Sequence, residues 1–158
     1  MNPQPFTIAL VEPVIPPNTG NIARLAAATG VKLELAGKLG FDLSDKQLKR
    51  AGLDYWQHVN WSHEPDLASY LKGLQTRRRV LFSTKGRRPY FEAAFAAGDV
   101  LVFGSETQGL PQALLDQHPE ETFFIPMLAG TTRSLNLATS VGIVLYEAIR
   151  QVGYGAPA

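Results

Sequence analysis

The chain has 158 residues, the size of one domain with its own core, and a single domain is expected to span 1–158. It has no cysteine, which excludes a disulfide framework, a thiolate nucleophile and a zinc–cysteine site; hydrophobic residues make up 45% and charged residues 18%, an ordinary globular composition. The net charge of +1 does not by itself argue for nucleic acid, no basic-then-apolar leader opens the chain, and no apolar run could span a bilayer, so a soluble cytoplasmic protein with no membrane partner is expected.

The first apolar run, FTIALVE at 6–12, reads as a strand. PPNTGNIAR at 16–24 follows and leads into a helix expected over 19–29. Pro16 and Pro17 should hold the entry extended and remove two backbone donors. Asn18, Thr19 and Asn21 suit a helix start, and Gly20 permits close backbone approach. Arg24 comes three residues after Asn21, on the same helix face. A second strand is expected at 32–37 (KLELAG), then a helix at 44–51 that puts Lys46, Lys49 and Arg50 on about one turn.

QHVNW at 57–61 reads as a third strand, followed by a helix at 65–74. RVLFST at 79–84 is a fourth, and Arg77, Arg78, Arg79, Lys85, Arg87 and Arg88 surround it. These runs are either solvated surface charge or a phosphate-contacting patch. A helix is expected at 90–97, a strand at 99–104 (DVLVFG), a helix at 111–117 and a strand at 122–127 (TFFIPM). A helix over 136–152 closes the chain, with Leu137, Val141, Val144, Leu145 and Ala148 forming an apolar stripe that reads as core or subunit contact.

Strand and helix alternate throughout. The expected fold is therefore α/β, a mostly parallel six-stranded sheet with helices on both faces. Ligands of such sheets bind at the carboxyl ends of strands, so the loops there carry the functional argument. Three are rich in chemistry: PPNTGNIAR, then FGSETQGLP at 103–111, then the segment from Ile125 through Thr131, Thr132, Arg133, Ser134 and Asn136. The second has neither G-x-G-x-x-G nor a P-loop lysine, which disfavours a nucleotide-binding oxidoreductase, though its glycines could cradle a small molecule. Each loop alone also fits a capped helix start. His58, His63 and His118 lack metal-ligand spacing, and no metal is expected.

Together, EPVIPPNTGNIARLAAATG, VFGSETQGLP and IPMLAGTTRSLNLATSVGIVLYEAIRQ resemble the three ordered motifs of the SPOUT-type RNA 2′-O-methyltransferases, in the TrmL-like (YibK-like) branch. The resemblance covers nearly the whole chain, including GFDLSDKQLKRAGLDYW. It implies a C-terminal trefoil knot, a homodimer with a shared site, and methyl transfer from S-adenosyl-L-methionine to a ribose 2′-OH, leaving S-adenosyl-L-homocysteine. For that branch the substrate is tRNA, at the wobble cytidine or uridine. Another tRNA or rRNA position, or a non-catalytic RNA-binding dimer, are the alternatives. By motif position the resemblance assigns Asn18, Arg24, Glu106, Ser134 and Asn136 to catalysis. It assigns Phe82, Gly104, Ile125 and Ser134 to the cofactor. Lys46, Lys49, Arg50, Arg87 and Arg88 then form an expected RNA track across two subunits. One departure is visible: LAGTTRS runs one residue longer than the proline-containing stretch of close relatives.

Overall fold

A computed structural model describes residues 1–44 and 56–153. The expected helix at 44–51, with Lys46, Lys49 and Arg50, lies almost wholly outside the described residues. Seven strands form one parallel sheet: β1 (Thr7–Val11), β2 (Lys32–Ala36), β3 (Trp61–Glu64), β4 (Arg79–Phe82), β5 (Arg88–Pro89), β6 (Val100–Phe103) and β7 (Thr122–Phe124). Their spatial order is β3-β2-β1-β6-β4-β7-β5. Leu10 and Phe82 both register with Phe103, which fixes the central strand ends side by side.

The alternation of buried side chains divides the core between two faces. On one face Ile8, Leu10, Leu33, Phe82 and Phe103 pack against α1 (Pro16–Thr29) and α4 (Leu137–Val152). The expected stripe of α4 is core: Val141, Val144, Leu145 and Ala148 are fully buried. On the other face Ala9, Val11, Leu81, Val100 and Val102 meet α2 (Leu67–Leu74) and α3 (Gln112–Gln117) through Leu74, Leu114 and Leu115. Every residue of β1 and β6 is buried, as a central parallel strand covered on both faces requires.

Four expectations need correction. The sheet has seven strands rather than six, because the two-residue β5 adds an edge too short and too basic to read as a strand. The strand expected at 57–61 is instead a 3-10 turn at Trp56–His58, and pairing starts at Trp61. Exposed WSHE needs no apolar alternation because it is the opposite edge. The helix expected at 90–97 is one 3-10 turn, Tyr90–Glu92; Ala93 and Phe95 turn inward while Phe91 stays exposed. Finally, α1 begins at Pro16, not at Thr19. Proline's fixed φ suits the first helical positions, where its missing N–H has no partner to lose. Asn18, Thr19 and Gly20 are thus buried helix residues, not caps.

The arginine run of 77–79 is also structural. Arg77 donates to Glu34 at 2.7 Å, Arg78 to fully buried Asp99 at 2.6 Å, and Arg79 pairs with Glu121 at 3.2 Å. These pairs lie at the amino end of β4, away from the strand ends where ligands bind. A second arm of Arg79, Nη2, lies 2.9 Å from His118 Nδ1. A guanidinium only donates, so Nδ1 accepts and the ring is neutral. Burial, and then the Arg79 charge, hold the His118 pKa below its ordinary 6.5.

At Gly86 a Cβ would strike the backbone of Phe123, whereas at exposed Gly73 in α2 it would meet nothing within 4 Å. Urea unfolding should show Gly86→Ala destabilised by about 3 kcal/mol and Gly73→Ala stabilised by about 0.5–1 kcal/mol. His118 binds its proton less readily folded than unfolded, so its neutral form favours the native state above pH 6.5 and that contribution is lost as pH falls through the depressed folded value. Stability measured from pH 7.5 to 5 should fall less steeply in His118→Gln than in the wild type.

Candidate active site

The three chemistry-rich loops meet at the carboxyl ends of β1, β6, β4 and β7, around a cavity of about 550 Å³. Glu106 is its centre. One carboxylate oxygen accepts the Val14 N–H at 2.9 Å; the other accepts the Ile15 N–H at 2.8 Å and the Asn18 amide at 3.1 Å. With prolines at its first two positions and no capping side chain of its own, α1 takes its entry contact from a loop some ninety residues away. A carboxylate accepts only, so Asn18 must turn its NH₂ toward Glu106 and its oxygen outward. That oxygen accepts from Asn136 Nδ2 at 2.9 Å. Asn136 then has its own oxygen left to cap α4, accepting the Thr139 N–H at 3.1 Å. The relay Glu106–Asn18–Asn136 is therefore oriented end to end and joins the three loops.

The Glu106 loop is pinched shut. Ser105 and Gly109 exchange N–H···O bonds of 3.3 and 3.0 Å, and Gly109 adopts φ +68, a conformation glycine favours. Gly104 lies flat against Gly109 and Leu110, where a Cβ would collide with backbone. The cavity floor is apolar, with Phe82, Phe103 and Leu137 contributing, and the rim is polar.

Of the residues expected at the site, Asn18, Phe82, Gly104, Glu106, Ile125, Ser134 and Asn136 all line this cavity. Arg24 does not. It lies six residues beyond Asn18, roughly 120° around the helix, and is exposed on another face of α1. Arg87 and Arg88 are on the β5 edge, where Arg87 pairs with Glu120 at 3.0 Å. Arg88 donates to the Glu120 carbonyl at 3.0 Å and lies 4.9 Å over the Phe123 ring. The hydroxyls of Thr131 and Thr132 are bonded to their own loop, at Leu128 O and Ser134 O, which accounts for them as loop staples. Lys85 and Ser140 also line the cavity and were not singled out for it; Lys85 follows β4 at its carboxyl end, a position that could have marked it. Among the described residues no cluster of His, Asp and Glu could hold a metal, and no helix is long and apolar enough to cross a membrane.

A glycine-walled cavity at the carboxyl ends of a parallel sheet defines an α/β protein built around a small-molecule site. The chain belongs to the SpoU rRNA methylase family, whose model matches residues 5–146. It is 49% identical over 147 residues to the tRNA (cytidine(34)-2'-O)-methyltransferase of Methylovorus glucosotrophus, covering 92% of this chain and 95% of that protein. It is 44% identical to the protein of the same name from Escherichia coli, covering 94% of this chain and 95% of the relative. A solved structure concerned with the 2-OH methylation of C/U34 on tRNA superposes with a TM-score of 0.85 at 48% identity, over 92% of this chain and 95% of that one. The SpoU methyltransferase AviRb from Streptomyces viridochromogenes, solved with AdoMet, gives a TM-score of 0.79 at 29% identity, over 94% of this chain and 58% of that one.

The relay predicts non-additive damage. Glu106→Ala leaves the Val14 and Ile15 N–H groups and the buried Asn18 amide without their acceptor and should cost about 1–3 kcal/mol, and Asn136→Ala about 1 kcal/mol as a lost cap. In a double-mutant cycle by urea unfolding the two should couple by at least about 0.5 kcal/mol through Asn18. Strict additivity would show that the loops are held independently.

Proposed function

We propose that this chain transfers a methyl group from S-adenosyl-L-methionine to the ribose 2′-OH of the wobble nucleotide of tRNA, a cytidine or uridine. The observation that carries the reading is the oriented Glu106–Asn18–Asn136 relay, which draws three loops around one cavity. The near-full-length relatives named tRNA (cytidine(34)-2'-O)-methyltransferase support the choice of substrate. A cytoplasmic location fits such a substrate.

The residues present suit the cofactor. The cavity volume falls in the usual ligand range of roughly 300–1,000 Å³. Its apolar floor, with Phe82 and Phe103, fits a flat purine, and the close approach permitted by Gly104 leaves backbone groups beside it. Backbone at Phe82 and Ile125 would hold adenine and ribose, and Ser134 the polar rim. When bound, the cofactor supplies an electrophilic methyl on a sulfonium and leaves as S-adenosyl-L-homocysteine.

The remaining demand is on the acceptor, because an alcohol is a weak nucleophile until its proton leaves. Arg24 is the residue assigned to this demand. Since it lies outside the cavity of its own chain, the reading requires Arg24 of a second copy, hence a homodimer with shared sites; the C-terminal trefoil knot belongs to the same proposal. A guanidinium holds its proton too tightly to act readily as a base. Clamping the RNA phosphate and the developing oxyanion, while a phosphate oxygen or water takes the proton, asks less of it. Arg87 and Arg88, with Lys46, Lys49 and Arg50, would track the RNA backbone. Glu120 is a weak competitor there, because exposed ion pairs contribute about 0–1 kcal/mol.

The test is incubation with labelled methyl donor and total tRNA, followed by nucleoside mapping. The label should appear on the ribose of the wobble nucleotide; label on a base would overturn the reading. Arg24→Ala should lower kcat at least about a hundredfold. Arg24→Lys should retain part of the rate if charge alone matters, and none if geometry or proton abstraction does.

A further inference from the structure

A second cavity, of about 660 Å³, opens at the carboxyl ends of β1 and β2. The Ser105–Leu110 loop is the wall between it and the first cavity, since both are lined by that loop and by Lys85. Its base is preformed. Glu12 sits at φ 51, a left-handed conformation that strains a non-glycine residue and persists only where the surroundings over-determine it. Three contacts do so here. The Glu12 N–H donates to Ala36 O at 2.8 Å, its carboxylate accepts the Lys38 N–H at 3.1 Å, and the Gly40 N–H donates to Pro13 O at 2.9 Å. Gly37 completes the seat, since a Cβ there would lie 2.6 Å from Glu12 Cγ.

The charges are sorted. Lys38 and Lys85 line the cavity, and neither joins an ion pair with the described residues. The Lys85 ammonium donates to neutral Gln112 Oε1 at 2.8 Å, which orients the charge without cancelling it. Glu12 faces the same space with an acceptor that suits an exocyclic amino group and repels phosphate. Thr107 and Gln108 add uncharged polar groups on the shared wall.

We infer that this second cavity binds the RNA nucleotide flanking the methylated one, its phosphodiester held by Lys38 and Lys85 and a base amino group by Glu12. The inference rests on the proposed tRNA substrate and adds a subsite to it. A one-loop wall sets this cavity directly beside the one that would hold the methyl donor, against which the acceptor ribose must lie. The strain at Glu12 turns its side chain onto the Gly37–Lys38 backbone at the cavity wall, where one carboxylate oxygen takes the Lys38 N–H and the other is the acceptor offered to the base.

The test uses the full chain and the tRNA labelled in the experiment above. Lys38 lines only this cavity, so Lys38→Glu should raise KM for tRNA about tenfold with kcat within about twofold, and should lower the slope of log affinity against log salt by about one. Calorimetric affinity for S-adenosyl-L-methionine should not change, and Lys38→Arg should restore KM. Wild-type KM and salt slope in Lys38→Glu would overturn the inference. So would weakened cofactor binding, which would assign the cavity to the cofactor. If the wild type methylates no tRNA, the functional reading falls instead, and the binding slopes still decide the subsite: identical slopes overturn it.

Discussion

One carboxylate organises the ligand-binding edge of this protein. Glu106 gathers the Val14 and Ile15 N–H groups and the Asn18 amide at 2.8–3.1 Å. Hydrogen bonds to a charged acceptor contribute about 1.5–3 kcal/mol each, more than a neutral cap would. No local residue could do this. α1 has no capping side chain, because the apolar Ile15 stands in the cap position ahead of the two prolines. The first loop is therefore held by the second, and Asn136 ties in the third. The cavity is a product of that three-way closure rather than of any one loop.

Charge is divided between structure and surface in a way that net charge conceals. Arg77, Arg78 and Arg79 are all consumed in ion pairs with Glu34, Asp99 and Glu121 at the amino end of the sheet. The lysines at the carboxyl end are left with neutral or no partners among the described residues. Arginine suits the first task because its planar fork can serve several acceptors, as Arg78 does with Asp99 and the Ala94 carbonyl. Lysine suits the second because a compact, strongly hydrated ammonium on a flexible stem keeps its charge in water without a fixed partner.

The central strands, both face helices and the buried stripe of α4 were legible in the sequence because continuous apolar runs and 3.6-residue spacing report burial directly. The edges were not. β3 and β5 have no apolar signature, since an edge strand is specified by backbone pairing with its neighbour. Asn18 was misread as a helix start because local chemistry cannot show that Glu106 occupies that role from across the chain. The cavity set of Asn18, Phe82, Gly104, Glu106, Ile125, Ser134 and Asn136 was legible by motif, and the structure brings it together. The motif was silent on Arg24's position outside the cavity, because a linear pattern does not say which helix face a residue occupies. The arginine run looked like one patch in sequence, yet β4 separates its members from Lys85 by the length of a strand.

The paired prolines at the start of α1 have a dynamic consequence. They remove two of the exchangeable amide hydrogens that would ordinarily report fraying of the first turn. The nearest remaining reporters upstream, at Val14 and Ile15, are shielded by Glu106 and not by the helix. Their hydrogen-exchange rates therefore measure how often the second loop lifts from the first, independently of how often the helix itself opens. Two amides thus serve as a clock for the opening of the cavity.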